Sequence, residues 1–262
     1  MKRSHPFLLL LLAGGAWLWP NALQAQTSYT KLVWADEFNY TGLPDPEKWT
    51  HDTAMGCPHR CGWGNNELEY YTTRKENAWV DNGLLTITGK RETYAGAAYT
   101  SARLHSMGKF EFTYGKVEAR AKLPAGIGTW PAIWMLGHNI DKVGWPSCGE
   151  IDIMEHRGYE MNKVFGTFHY PGHSGNHADG DSVMSKNVDS EFHIYSAEWT
   201  PAEIRLYTDG VLIHTLKNTK DVPFHHPFFL ILNLAIGGHF AGPVDPKFQA
   251  AQFQIDYVRV YQ

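Results

Sequence analysis

The sequence predicts an all-β protein, a sandwich or a barrel rather than a helical or α/β domain. Three observations carry this. Apolar and polar residues alternate with period two over several stretches. Gly and Pro turns separate those stretches. No segment holds a 3.6-residue period bounded by caps. A jelly-roll β-sandwich of two curved antiparallel sheets with a concave groove fits the pattern.

The elements follow in chain order. Lys2 and Arg3, the apolar run Phe7 to Ala16 and the small-residue site Ala22-Leu23-Gln24-Ala25 read as a secretory leader over residues 1–25. Residues 26–262 then form one exported domain, secreted or periplasmic, with no membrane association after cleavage. An uncleaved N-terminal anchor is the alternative. Asp81-Asn82-Gly83 is a turn that leads into a strand from Leu84 to Thr88. Phe110, Phe112 and Tyr114 alternate with polar residues and predict a half-buried strand. Val117, Ala119, Ala121 and Leu123 predict another, with Glu118 and Arg120 on its polar face. Glu203 to Leu216 reads as a hairpin turning at Asp209-Gly210. Phe228 to Ile236 is continuously apolar and predicts a strand covered on both faces. Phe253 to Tyr261 is the last strand. Pro171 to Lys186 lacks apolar alternation and reads as a surface loop. Its His173, His177, Asp179 and Asp181 are either a metal cluster or a solvated set.

Composition narrows the function. The 262-residue chain carries net charge −4 and no basic tract, which argues against nucleic acid and polyanionic substrates. A neutral polysaccharide needs aromatic platforms instead, and aromatics make up 14% of the chain. There are three cysteines. Cys57 and Cys61 can pair across a short loop and leave Cys148 free; a pairing of Cys148 with either, or a zinc site on Cys57, His59 and Cys61, are the alternatives.

The most informative run is Gly149-Glu150-Ile151-Asp152-Ile153-Met154-Glu155, three carboxylates in an apolar strand. Acids this close repel, so at least one keeps its proton near neutral pH. A protonated acid beside an ionised one is the equipment of glycoside hydrolysis. Alternation puts Glu150 and Asp152 on one face and Glu155 on the other. One extra residue, a β-bulge around Ile153 or Met154, returns Glu155 to the face of Glu150. The two glutamates remain roughly 13 Å apart at Cα, at about 3.3 Å per residue. Their carboxyls must therefore lean together toward the roughly 5–5.5 Å separation of a retaining pair. A solvated acidic strand and a calcium site are the competing readings.

This run, with Trp145-Pro146 before it and His156 after it, resembles the signature of glycoside hydrolase family 16. Further matching segments are Trp34 to Phe38, Asn65 to Thr72, Tyr114 to Arg120, Trp130 to Leu136, Asn233 to Gly238 and Asp256 to Tyr261. The extra residue before the last Glu resembles laminarinases, that is endo-β-1,3-glucanases. The resemblance implies a jelly-roll fold and a retaining endo-β-glucanase acting on laminarin-type or mixed β-1,3/1,4 glucans. It implies Glu150 as nucleophile, Glu155 as acid/base and Asp152 as the residue that tunes the pair. Trp130, Trp134 and Trp145 are the candidate sugar platforms. Glu118 and Arg120 are implied in the cleft, and Asn66, Arg103, His169 and Asn233 are candidate hydroxyl contacts. No cofactor is expected for catalysis. A structural calcium on Glu37, the Gly83 backbone and Asp256 is implied on the convex side. The partner is a polysaccharide and the chain is expected to be a monomer. Related lichenases, agarases and carrageenases, and a non-catalytic glucan-binding lectin, are the rivals.

Overall fold

Period-two alternation becomes two stacked sheets once the apolar faces meet. The computed structural model describes Met1 and residues 29–262, so the expected leader, apart from Met1, lies outside the described residues. In chain order the first strands are β1 Leu32–Asp36, β2 Thr50–His51, β3 Glu69–Tyr71, β4 Ala78–Asp81, β5 Leu84–Tyr94 and β6 Ala97–Ser101. Then come β7 Arg103–His105, β8 Gly115–Lys122, β9 Thr129–Gly137, β10 Glu150–His156, β11 Lys163–His169 and β12 Asp179–Met184. The last are β13 His193–Trp199, β14 Glu203–Thr208, β15 Val211–Lys217, β16 Phe228–Ile236 and β17 Ala250–Tyr261. Among the described residues two single-turn helices, α1 Ile140–Val143 and α2 Gly238–Ala241, and two 3-10 turns at Cys61–Gly64 and Gly175–His177 complete the order. No helix among the described residues is long and apolar enough to cross a membrane.

The larger sheet runs β15-β14-β13-β8-β17-β5-β6-β3, with β1 on β17 and β4 on β5. The smaller runs β12-β11-β10-β9-β16-β7-β2. Pairing is antiparallel except between β3 and β6, which is parallel. The fold is the expected jelly-roll sandwich. Between the sheets lie Leu230, Leu232, Leu234 and Ile236 of β16, Ile133 and Met135 of β9, and Ile151, Ile153 and Met154 of β10. Facing them are Val117, Ala119 and Ala121 of β8, Leu85 and Ile87 of β5, and Phe253 and Ile255 of β17. Each large apolar side chain buried this way contributes about 1.5–3 kcal/mol.

The turn chemistry holds where it was clearest. Asn82-Gly83 joins β4 to β5 with both residues at positive φ, 52° and 75°. Asp209-Gly210 joins β14 to β15 at 49° and 76°. Both suit the right-handed twist of a tight hairpin. All nine residues of β16 are buried, as its continuous apolar run predicts.

Two elements differ from the sequence reading. Lys109 to Tyr114 is not a strand; only an isolated bridge from Phe112 to Phe228 forms there. Its alternation instead stacks Phe110 on Trp34 and Phe112 on Phe110, at 5.0 and 5.6 Å between ring centroids. Pro171 to Lys186 is not wholly a loop, because Asp179–Met184 pairs with β11 as an edge strand. An edge strand has little apolar face to bury, so it leaves no alternation to read. Asp179 there holds His214 and Tyr170 rather than joining His173, His177 and Asp181 around a metal.

Cys57 and Cys61 form the disulfide and Cys148 is a buried thiol. The zinc alternative is thereby removed.

Candidate active site

The acidic strand is central in the smaller sheet, between β9 and β11. Its entry is fixed by Gly149, at φ 75°, where a Cβ would come within 2.8 Å of the Pro223 carbonyl oxygen. From there Glu150 pairs with Leu136 and His169, and Asp152 with Trp134 and Thr167. The register then slips on both sides: Met154 pairs with Ile133, and Glu155 with Ala132 and Phe165. This is the expected β-bulge. It keeps Ile151, Ile153 and Met154 in the core and returns Glu155 to the outer face. All three acids therefore line one open face.

The neighbours on that face are mostly the predicted ones. Trp145 Nε1 donates to Glu150 Oε2 at 3.0 Å, and Trp130 Nε1 donates to Glu155 Oε1 at 2.9 Å. His169 Nε2 lies 3.7 Å from Glu150 Oε1 and 3.3 Å from Asp152 Oδ2. Trp134 Nε1 donates to Asn233 Oδ1 at 2.8 Å. The Arg103 guanidinium stacks over Trp134 and Trp63, 4.8 and 4.6 Å from the ring centroids, and pairs with Asp52. Asn66 is exposed and meets His239 Nε2 of α2 at 2.9 Å.

Burial and mutual repulsion set the electrostatics. Desolvation pushes Glu150 up to about 8, with Asp152 repulsion adding and His169 opposing. Desolvation likewise pushes Glu155 up to about 8; Asp152 adds, while His169 and the bonds from Trp130 and Thr167 oppose. Burial holds Asp152 well above the usual carboxylate range. The cluster releases its protons stepwise, not all at once. It therefore holds protonated and ionised carboxyls side by side in one groove, as acid-assisted cleavage of an acetal requires.

Comparison with known proteins agrees with this geometry. Residues 64–259 match the model of glycosyl hydrolases family 16. A β-glucanase of Rhodothermus marinus is 45% identical over 100% of this chain and 95% of its own. The chain belongs to glycosyl hydrolase family 16. The Thermotoga maritima laminarinase catalytic domain superposes with a TM-score of 0.83 at 46% identity, covering 88% of this chain and 98% of the other. The Rhodothermus marinus laminarinase structure gives 0.83 and 46%, covering 88% and 97%.

Some sequence expectations for this glycoside hydrolase fail. Glu118 and Arg120 are not in the cleft. They lie on the outer face of the larger sheet, since Val117, Ala119 and Ala121 take its inner face. There Arg120 pairs with Asp256 at 2.6 Å, and Glu118 accepts from Tyr257 and Lys116. Alternation gives the face of a strand but not the sheet it joins. The calcium set does not fit either. Both oxygens of Glu37 are taken by Arg259, at 2.7 and 2.8 Å, and Asp256 is held by Arg120.

Other site residues escaped the sequence reading. Thr167 bonds Glu155 from β11. Phe240 packs 5.0 Å from Trp130 and 5.3 Å from Phe165, and Arg157 covers both phenyl rings. The alternation of Lys163, Phe165, Thr167 and His169 was the available signal, because His169 alone marks which face is the groove.

Proposed function

We propose that this chain is a retaining endo-β-1,3-glucanase that works by double displacement through Glu150 and Glu155. The bulge that turns Glu155 onto the face of Glu150 is the observation that carries the reading. The laminarinase and β-glucanase relatives support a β-1,3-glucan as substrate.

Glu155 begins protonated, favoured by burial. Its proton passes to the glycosidic oxygen as the Glu150 carboxylate attacks the anomeric carbon. The bond to the leaving sugar breaks and a glycosyl ester on Glu150 forms. Glu155, now ionised, takes a proton from water; the hydroxide so generated attacks the anomeric carbon and frees Glu150. Configuration is inverted twice and so retained. Trp145 and His169 favour an ionised Glu150. Burial, by holding Asp152 above the usual carboxylate range, limits the charge it places beside Glu150. Trp130, Trp134 and Trp145 offer ring faces to the C–H faces of the glucose units. No step uses a metal or an organic cofactor.

We further propose export through the leader at residues 1–25, release as a single domain, and action as a monomer. The test is reducing-end release from laminarin, lichenan, agarose and carrageenan by the unmodified chain and by Glu150→Gln. Laminarin should be cut fastest, and Glu150→Gln should release almost nothing. Equal release by both chains would defeat the mechanism; preference for agarose or carrageenan would defeat the substrate.

A further inference from the structure

A second acid pair lies beside the groove, outside the machinery just described. Glu67 and Glu69 are 6% and 0% exposed. They belong to the segment that crosses from β3 in the larger sheet to the end of β16 in the smaller one. Glu69 Oε2 accepts from the Ile236 amide at 2.6 Å, and the Leu68 amide donates to the Ile236 carbonyl at 2.9 Å. Glu67 Oε1 accepts from Asn65 Nδ2 at 3.0 Å.

From Glu67 a hydrogen-bonded chain runs into the groove, and its direction is fixed. The Trp134 indole can only donate, so Asn233 Oδ1 accepts from it at 2.8 Å. Asn233 Nδ2 must then donate to the Tyr71 hydroxyl oxygen, 3.1 Å away. The Tyr71 hydroxyl in turn donates to Glu67 Oε2 at 3.2 Å. Both oxygens of Glu67 are therefore acceptors, as an ionised carboxylate is. Glu69 is fully buried beside Glu67, and burial and the Glu67 charge push its carboxyl well above the usual carboxylate range. Among the described residues, the ionisable groups facing the pair are Tyr71 of β3 and Arg103 of β7, and the Arg103 charge acts on the Tyr71 end. His239 of α2 reaches Asn66, not the pair.

We propose that Glu67 and Glu69 are a positioning pair: Glu67 anchors the relay Glu67–Tyr71–Asn233–Trp134, with uncharged Glu69 packed beside it, and so holds the Trp134 platform for glycan binding. The inference rests on the proposed function for its kinetic consequence only. Ionising Glu69 would place two adjacent charges in a buried site, drive the pair apart and slacken Trp134. Binding then weakens as pH rises, while the Glu150–Glu155 chemistry has its own, separate titration.

The test uses two variants with the unmodified chain. Glu69→Gln keeps an oxygen for the Ile236 amide, but has no proton to lose. Tyr71→Phe cuts the relay and leaves the pair. The first readout is the Trp134 indole N–H resonance as pH is raised, which needs no hydrolysis. It should move in the unmodified chain and stay fixed in Glu69→Gln. The second readout is KM and kcat on laminari-oligosaccharides. Tyr71→Phe should raise KM about three- to tenfold, the worth of one net hydrogen bond, with kcat within about twofold. Glu69→Gln should remove the rise in KM with pH. A resonance that moves equally in both chains, or a Tyr71→Phe effect on kcat alone, overturns the proposal. Should Glu69→Gln not fold, Tyr71→Phe decides alone. If the indole behaves as expected and no chain cuts laminarin, the proposed function fails and the positioning pair stands.

Discussion

Exchanging Glu155 for Gln should make the protein more stable at alkaline pH, although it destroys the proposed acid. Glu155 is 8% exposed and is pushed by burial from 4.5 up to about 8. Between those values the folded chain holds a proton that the unfolded chain has lost. Stability therefore falls as pH rises through that window. At about 1.36 kcal/mol per pKa unit, the full loss is about 5 kcal/mol above pH 8. Part of that push comes from the Asp152 charge, which burial itself disfavours. We therefore expect about 2–4 kcal/mol from Glu155 itself. The amide introduced by Glu155→Gln can still accept from Trp130 Nε1 and meet the Thr167 hydroxyl, without ever acquiring charge. Urea denaturation at pH 5 and pH 9 measures the difference. At pH 5 the two chains should match within about 1 kcal/mol. At pH 9 Glu155→Gln should be the more stable by about 2–4 kcal/mol. A difference that is the same at both pH values would refute the burial argument.

Three further outcomes follow from the contacts. Trp145→Phe removes the donor to Glu150 Oε2, so the acid limb of the kcat/KM–pH profile should move to higher pH; an unmoved limb would deny the bond a role. Arg120→Ala should leave hydrolysis within about twofold, since its partner is Asp256 on the outer sheet face; a large loss would return Arg120 to the cleft. Leu232→Ala in the fully buried β16 should cost about 2–5 kcal/mol in chemical denaturation, with the catalytic pH profile unchanged.

The sequence carried the catalytic face further than the rest of the fold. Ile151 and Ile153 demand the core, and the acids demand solvent or one another. With Glu150 and Glu155 five positions apart, an odd spacing, only an inserted residue satisfies both. That conflict is local and can be read from one strand. The error at Glu118 and Arg120 is of another kind. Their alternation gave the right face, but whether that face looks onto the groove depends on which sheet β8 joins, a long-range pairing with β13 and β17. Lys109 to Tyr114 alternates because Phe110 stacks on Trp34 and Phe112 on Phe110, so the pattern reported burial and not pairing. Glu67 and Glu69 stood in plain view within Asn65 to Thr72. Only the fold brings Tyr71 and Asn233, 162 positions apart, into contact and so gives those acids a neighbour in the groove.

The most direct test of the account is covalent trapping with a 2-deoxy-2-fluoro β-glucoside bearing a good leaving group, followed by peptide mass mapping. The slip in β10 that aligns Glu155 with Glu150 predicts a single stable glycosyl ester, on the peptide containing Glu150 and on that side chain. A label on Glu155, or active enzyme that turns the reagent over to the inverted sugar with no ester formed, would contradict it.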